Sequence, residues 1–476
     1  MVSNCTRRDV LKGLAGLMAA CPLTLHALAD TKPHPSSKPN LLFLLMDDLR
    51  FDALGCMGNT MVHTPHIDQL AQQGTRFTEH FCTTSICMSS RATIFTGQFT
   101  CTHQITDFQT PLSATQFQTS YPALLRQAGY QTGFIGKWGV GPVPEDQFDF
   151  FKGFPGQGWY FSKDPNEKRH LTTIMRDQAL EFLDTQNQAN PFCLSISFKS
   201  PHCQDGDPKQ FLYDPAYEEL YQEDEFVPAR TATEAAFHKL PPFLQDSEAR
   251  NRWKLRFSTP EQMQQSVKGY YRLISGVDRC VGDLVVKLEE KGLRDNTVII
   301  LTSDNGFYLG EHGLAGKWFM HEESIRLPLI IMDPRHTPAQ STNAHMTLTI
   351  DMAPTLLNLA GIPIPQTMQG KSLVPLLQGE PAAWRKEFYY EHLFEHPAIP
   401  KTEGIRTQRW KWVTYPDHPG ADELYDLRHD PLEETNLVQN PEYQAVRDRL
   451  TRRWNTWKTR LAQWHPHGTE PWRDPE

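Results

Sequence analysis

The chain is short of three things that would place it quickly. It lacks a disulfide framework: nine cysteines are scattered through 476 residues with no C-x-x-C pair among them. Neither a stapled scaffold nor a thiolate zinc site is indicated. It lacks a basic excess, since 47 Lys and Arg stand against 56 Asp and Glu for a formal charge of −9. That balance argues against nucleic acid or an anionic membrane surface as partner. Beyond its first thirty residues it also lacks any apolar run long enough for a stable membrane span. An anionic ligand must therefore be held by a local group of Lys, Arg and His. What remains, 39% apolar and 22% charged, is the make-up of a globular enzyme with one large domain and a smaller one.

The first thirty residues are of another kind. Arg7 and Arg8 precede a modest apolar stretch broken by Pro22, which ends in Ala27-Leu28-Ala29, a small-x-small cleavage signal. The pattern resembles a bacterial twin-arginine export signal. It predicts a signal peptide over 1–29, the twin-arginine translocase as partner, and a periplasmic or secreted protein. A frayed amphipathic terminus is the plain alternative. A lipoprotein form, through Cys21, is the other, although Met18 suits that signal poorly. Cys56, Cys82, Cys87, Cys101, Cys193, Cys203 and Cys280 remain after cleavage. Twin-arginine cargo folds in a reducing cytoplasm, so these are expected to be free thiols.

Residues 30–38 read as a polar, Pro-containing linker. "PNLLFLLMDD" follows, an apolar run too short for a helix that ends in two carboxylates, and it reads as a buried parallel strand. "NTVIILTSDNG" repeats the design; "TGFIGKWG", "PFCLSISFKSPH" and "LPLIIMDP" are further buried strands. Between them the clearest helix runs from Glu261 to Lys291, with Thr259 and Gln262 as a capping box, Pro260 at its first position and Gly292 beyond its end. Alternating strands and helices predict a doubly wound, mainly parallel α/β domain over 30–380. Shorter strand-like runs rich in aromatics predict a smaller α+β subdomain over 381–476. Residues 205–257 are polar, interrupted by proline, and give no clear element.

Ligands of such sheets bind outside the carboxyl ends of the strands. Asp47, Asp48, Asp304 and Asn305 all fall there, with no Lys or Arg beside them in sequence. A lone Asp-Asp is usually a solvated turn, but two such pairs, each ending an apolar strand, point to a hard cation such as calcium or magnesium. Cys87, in "SICMSSRATIFTGQ", then poses a conflict, because sulfur is a poor partner for a hard ion. An oxygen nucleophile at that position resolves it.

"CMSSRATIFTGQ" resembles the sulfatase signature, in which the cysteine is converted to formylglycine. "NLLFLLMDDLRFDALGCMGN", "GYQTGFIGKW", "SFKSPH", "LTSDNGFYLGEHGLAGKWFMHEESIRLPLII" and "ELYDLRHDPLEETNL" resemble further blocks of that family, in the family's order, across nearly all of the mature chain. The resemblance implies an alkaline phosphatase-like fold, a formylglycine-generating or sulfatase-maturating enzyme as partner, and a sulfated carbohydrate as substrate. It implies calcium held by Asp47, Asp48, Asp304, Asn305 and modified residue 87. Arg91 would hold and polarise the residue 87 hydrate, and Asp304 would take a proton from it. Lys137 and Lys317 would neutralise sulfate oxygens, and His202 would protonate the leaving alcohol. The family's usual G-K-W-H is here "GKWG", so Gly139 replaces the histidine thought to deprotonate the second hydroxyl. His103 is the expected substitute base. His392, His396 and Arg406 are expected substrate contacts, with Trp410 and Trp412 in packing. A phosphodiesterase or phosphonate monoester hydrolase of the same superfamily is the enzymatic alternative. A non-catalytic protein that binds sulfated glycans is the other, although a binder needs neither the cysteine signature nor the metal set.

Overall fold

β1 (Asn40–Asp47) explains the central sheet in miniature. All eight of its residues are buried. Leu41, Phe43 and Leu45 face one hydrophobic core while Leu42, Leu44 and Met46 face another, the period-two alternation of an extended chain. Each buried leucine contributes roughly 1.5–3 kcal/mol, which overrides leucine's indifference to strand conformation. The structure, a computed structural model, describes residues 38–475 except 165, 336–338, 380–382, 467 and 469. The expected signal at 1–29 lies outside the described residues. Among the described residues no helix is long and apolar enough to cross a membrane, and all seven cysteines are free.

The strands follow as β2 (Thr75–Phe81), β3 (Gln131–Lys137), β4 (Phe150–Phe154), β5 (Phe192–Pro201), β6 (Thr297–Ser303), β7 (Tyr308–Leu309), β8 (Ala315–Gly316), β9 (Arg326–Met332), β10 (Ser341–Asn343) and β11 (Thr347–Leu348). β12 (Glu387–His392), β13 (Thr402–Thr407), β14 (Trp410–Thr414) and β15 (Glu423–Asp426) come last. The nine-stranded sheet has the order β10-β2-β9-β6-β1-β5-β3-β4, with β11 beside β2. β6, β1, β5, β3 and β4 are mutually parallel, whereas β9 runs antiparallel to both its neighbours. The fold is thus the α/β class expected, with one reversed strand. β7 and β8 form a small hairpin that leads directly into Lys317.

The predicted long helix spans Pro260–Glu290. Thr259 Oγ1 accepts from the Gln262 amide at 3.2 Å, and Gly292 turns the chain out of it at φ 64°. Its Tyr270 hydroxyl donates to the Asp48 carbonyl at 2.7 Å, so this helix grips the carboxyl end of β1. The undecided stretch after residue 205 forms the short helices Glu234–Phe237, Pro242–Gln245 and Glu248–Arg256. β12–β13–β14–β15 make a fully antiparallel sheet, backed by the helix Gln444–Gln463, in the same compact unit as the large sheet. The Trp412 ring lies 5.4 Å from Trp454 and the Trp410 ring 5.7 Å from Tyr443, so both pack. Lys411 between them is also fully buried, paired with Glu322 at 2.8 Å and Glu433 at 2.7 Å.

Candidate active site

Parallel strands bring their carboxyl ends to one edge, and most of the site's charged groups lie there. Asp47 closes β1, opposite Pro201 on β5. Ser303, before Asp304 and Asn305, pairs with Met46. Lys137 ends β3, and His202 follows β5. Asp48 adopts a left-handed backbone, φ 65°, unusual for a residue with a side chain. The Tyr270 hydroxyl, a 3.3 Å bond from its amide to Asp304 Oδ1, and the Leu49 amide on Ser303 Oγ at 2.9 Å hold it there. Such a strained residue persists only where its surroundings over-determine it.

Cys87 is the first residue of the helix Cys87–Thr96, every residue of which is buried. The helix N-terminus presents free amides and positive partial charge, which favours an anion at residue 87. Arg91, one turn on, is fully buried. Its Nε donates to Asp304 Oδ2 at 2.9 Å and its Nη1 to the Lys137 carbonyl at 2.8 Å and to Ser197 Oγ; Nη2 lies 3.5 Å from Asp47 Oδ2. Lys137 Nζ pairs with Asp47, and Lys317 Nζ with Asp48, 3.8 Å from Asp47 Oδ1. Burial would raise the Asp47 carboxyl, but Lys137, His202, Arg91 and Lys317 together hold it well below the usual range. Burial and the Asp47 charge push Asp304 up to about 6 against the pull of Arg91.

His202 Nδ1 lies 2.6 Å from the Cys203 carbonyl. A carbonyl only accepts, so Nδ1 carries the proton and Nε2 is turned toward Asp48 Oδ2, 3.6 Å away. Burial lowers this imidazole to about 4, opposed by Asp48 and Asp47.

The oxygen set fits a hard cation. Asp47 Oδ1 and Asn305 Oδ1 are buried with no hydrogen-bond donor, a costly state unless something else coordinates them. Asp48 is drawn into the same group by Asn305 Nδ2 at 2.6 Å. Asp47, Asp48 and His202 can converge on one point. Asp47, Asp48, Asp304 and Asn305 are the residues that would hold such an ion.

A cavity of about 240 Å3 opens onto Cys87, Asp48, His202 and Lys317. Its outer wall carries Asp205, Glu248, Arg252 and Arg256, from the stretch that sequence patterning could not resolve, and Gln157, Trp318, Phe394 and His396. Arg252 Nε donates to Glu248 at 2.6 Å, and Arg256 Nη2 to Asp205 at 3.1 Å. The Glu248 amide donates to the Ala398 carbonyl at 2.8 Å, tying the short helix to the loop that bears His396. The signal for Gln157 was present as Gly156-Gln157-Gly158. Both glycines take left-handed φ, 64° and 66°, which lets the loop turn one side chain inward.

Three expectations need correction. His103 does not reach the cavity: it is 1% exposed, its Nδ1 accepts from the Ile105 amide at 3.0 Å, and its Nε2 lies 3.1 Å from Thr93 Oγ1. Both ring nitrogens are used inside the fold, and burial lowers the imidazole to about 3. Arg406 is spent on buried ion pairs with Glu322 at 3.2 Å and Glu79 at 3.1 Å. His392 is fully buried in β12 and does not line the cavity. His396 alone of the three expected substrate contacts does.

Gly139 also acquires a steric reason. Its φ is 77°, and a Cβ there would lie 2.6 Å from Arg91 Cδ and 3.7 Å from Lys137 Cε. A side chain at 139 therefore requires Arg91 to shift, whereas Lys137 stands at ordinary contact distance.

The comparisons agree with this geometry. Residues 39–362 match the sulfatase family model, and residues 310–460 match a model described as the C-terminal part of N-sulphoglucosamine sulphohydrolase. An N-acetylglucosamine-6-O-sulfatase of Bacteroides thetaiotaomicron is 31% identical over 90% of this chain and 87% of its own. A structure solved in complex with its substrate D-glucosamine-2-N,6-O-disulfate superposes with a TM-score of 0.78 at 29% identity, covering 91% of this chain and 100% of that one. The phosphonate monoester hydrolase of Agrobacterium radiobacter superposes with a TM-score of 0.75 at 25% identity, over 89% and 96%. With a family match over most of its length and carboxylates, cations and Cys87 gathered at one sheet edge, the chain belongs to the sulfatase family of the alkaline phosphatase-like superfamily and is a sulfuric ester hydrolase.

Proposed function

We propose that the protein hydrolyses a sulfate ester on a carbohydrate, using formylglycine made from Cys87 and a bound calcium ion. The observation that carries this reading is the convergence of Cys87 at a helix N-terminus with Arg91, Lys137, Lys317, His202 and the oxygen set around one small cavity. The two groups supply an oxygen nucleophile at position 87 and a Lewis acid beside it.

The chain's own residues do the rest. Arg91, one helical turn from residue 87, is buried and held by Asp304, which sets its positive charge beside the nucleophile and the carboxylates. Lys137 and Lys317 place two ammonium groups where charge grows on sulfate oxygens as the S–O bond breaks. His202 holds its Nδ1 proton on the Cys203 carbonyl and turns a bare Nε2 toward the cavity; a proton that Nε2 takes up from solvent when substrate binds is passed on to the leaving alcohol oxygen. Asp304 accepts the proton of the attacking hydroxyl.

The cavity, about 240 Å3, is small for a ligand site and suits one terminal sugar residue better than an internal stretch of chain. The relatives' substrates make a glucosamine-type sugar sulfated at its 6-oxygen the first to test. The phosphonate hydrolase neighbour keeps phosphonate monoesters and phosphodiesters as the second reading. Protein matured at residue 87 should be assayed on a panel of sulfated monosaccharides with matched phosphodiester and phosphonate esters. Faster turnover of the phosphorus esters than of every sulfate would overturn the proposal.

A further inference from the structure

Gly139 leaves the nucleophile without the histidine of the family's usual motif, yet another side chain touches it. Gln157 is half-buried at the cavity wall. Its Oε1 accepts from Lys137 Nζ at 2.6 Å, and its Nε2 faces Cys87 Sγ at 3.9 Å. Lys137 is thereby held between Asp47 and Gln157, and residue 87 receives a donor from the cavity side. We propose that Gln157 is a catalytic contact residue of this sulfatase, a neutral amide that fixes residue 87 with its N–H while aiming Lys137 with its carbonyl.

The inference rests on the sulfatase reading and deepens it. A carboxamide donates and accepts hydrogen bonds but takes up no proton near neutral pH. Gln157 therefore holds the nucleophile without acting as its base. Two features show that its placement is built into the fold. The flanking glycines adopt left-handed conformations open to few other residues. The amide also has one group for each of its two partners, and a flip would set its N–H groups against the Lys137 ammonium, so Lys137 fixes which end faces residue 87.

The test uses full-length protein matured at residue 87, with 4-nitrophenyl sulfate as probe. Gln157→Met removes both contacts while keeping the bulk. Gln157→Glu keeps an oxygen for Lys137, replaces the N–H toward residue 87 by a second oxygen and adds a negative charge there. Both variants are expected to lose about 10- to 100-fold in kcat with KM within about threefold, the scale of one hydrogen bond to a charged or reacting group. Conversion of residue 87, calcium binding and melting temperature should match the wild type, which a merely structural role would not predict. Should Gln157→Met fail to fold, the isosteric Gln157→Glu decides alone. Turnover of either folded, fully converted variant within about threefold of wild type overturns the inference. Wild-type protein that releases no sulfate at all would instead refute the assigned reaction. A crystal structure of the unconverted Cys87 protein would still read the contact: Gln157 Nε2 turned onto residue 87 supports it, and Gln157 turned away from both residue 87 and Lys137 overturns it.

Discussion

Restoring the family motif with Gly139→His should damage this protein. A Cβ at 139 falls 2.6 Å from Arg91 Cδ, and the backbone there sits at φ 77°. The left-handed conformation costs a residue with a side chain roughly 1–2 kcal/mol, and overpacking adds about 1–3 kcal/mol. Relief by movement of Arg91 is closed off. Its guanidinium is held by Asp304, Ser197 and the Lys137 carbonyl with no solvent exposure, and breaking a buried pair costs about 3–5 kcal/mol. The expected loss is therefore about 2–5 kcal/mol, read as a melting temperature lower by several degrees. Turnover of an aryl sulfate should fall at least ~10-fold, because the clash bears on Arg91, which holds Asp304. Gly139→Ala carries the same clash without an imidazole and should lose comparable stability. A Gly139→His protein that melts within about 1 °C of wild type and turns over faster would refute the steric account.

Four further outcomes are expected. Expression with a formylglycine-generating enzyme should convert Cys87 to the aldehyde or its hydrate, seen in the mass of the residue 87 peptide; a free thiol throughout fully active protein would sink the mechanism. Asp304→Ala should abolish both calcium binding by calorimetry and activity, since it also frees Arg91; an active, calcium-free variant would contradict this. Acid should destabilise the fold through His103, held neutral with its imidazole lowered to about 3 against an unfolded value of about 6.5: the unfolded chain alone binds that proton as pH falls through this window, so its contribution is complete above about 6.5 and lost toward 3. His103→Asn, which keeps an acceptor for the Ile105 amide, should flatten that dependence in urea titrations and leave turnover per folded molecule near wild type; a burst followed by arrest would return His103 to the active site. Replacing Arg7 and Arg8 with lysine should trap the precursor in the cytoplasm, and undiminished periplasmic protein would show another route.

What could be read before the structure was whatever depends on neighbours in sequence. An apolar run ending in carboxylates, such as Leu41 to Asp48, encodes a buried strand and the sheet edge at which it stops. The i, i+4 spacing of Cys87 and Arg91 puts both on one helix face. Matching motifs could then be placed at the carboxyl ends of β3, β5 and β6 because parallel strands end together. Direction was the harder matter. His103 is close to the signature helix in sequence, but its short helix turns the ring back onto Thr93 and Ile105. Arg406 carries the charge a sulfate needs, but Glu79 and Glu322, far away in sequence, already hold it. The stretch bearing Asp205, Glu248, Arg252 and Arg256 has no clean periodicity, because its helices are short and are held by the cavity wall they form. Gly139 is the sharpest case. As a letter it is a missing base. In space it is the clearance that the Arg91 side chain occupies, so that a Cβ there would press on the residue that holds Asp304.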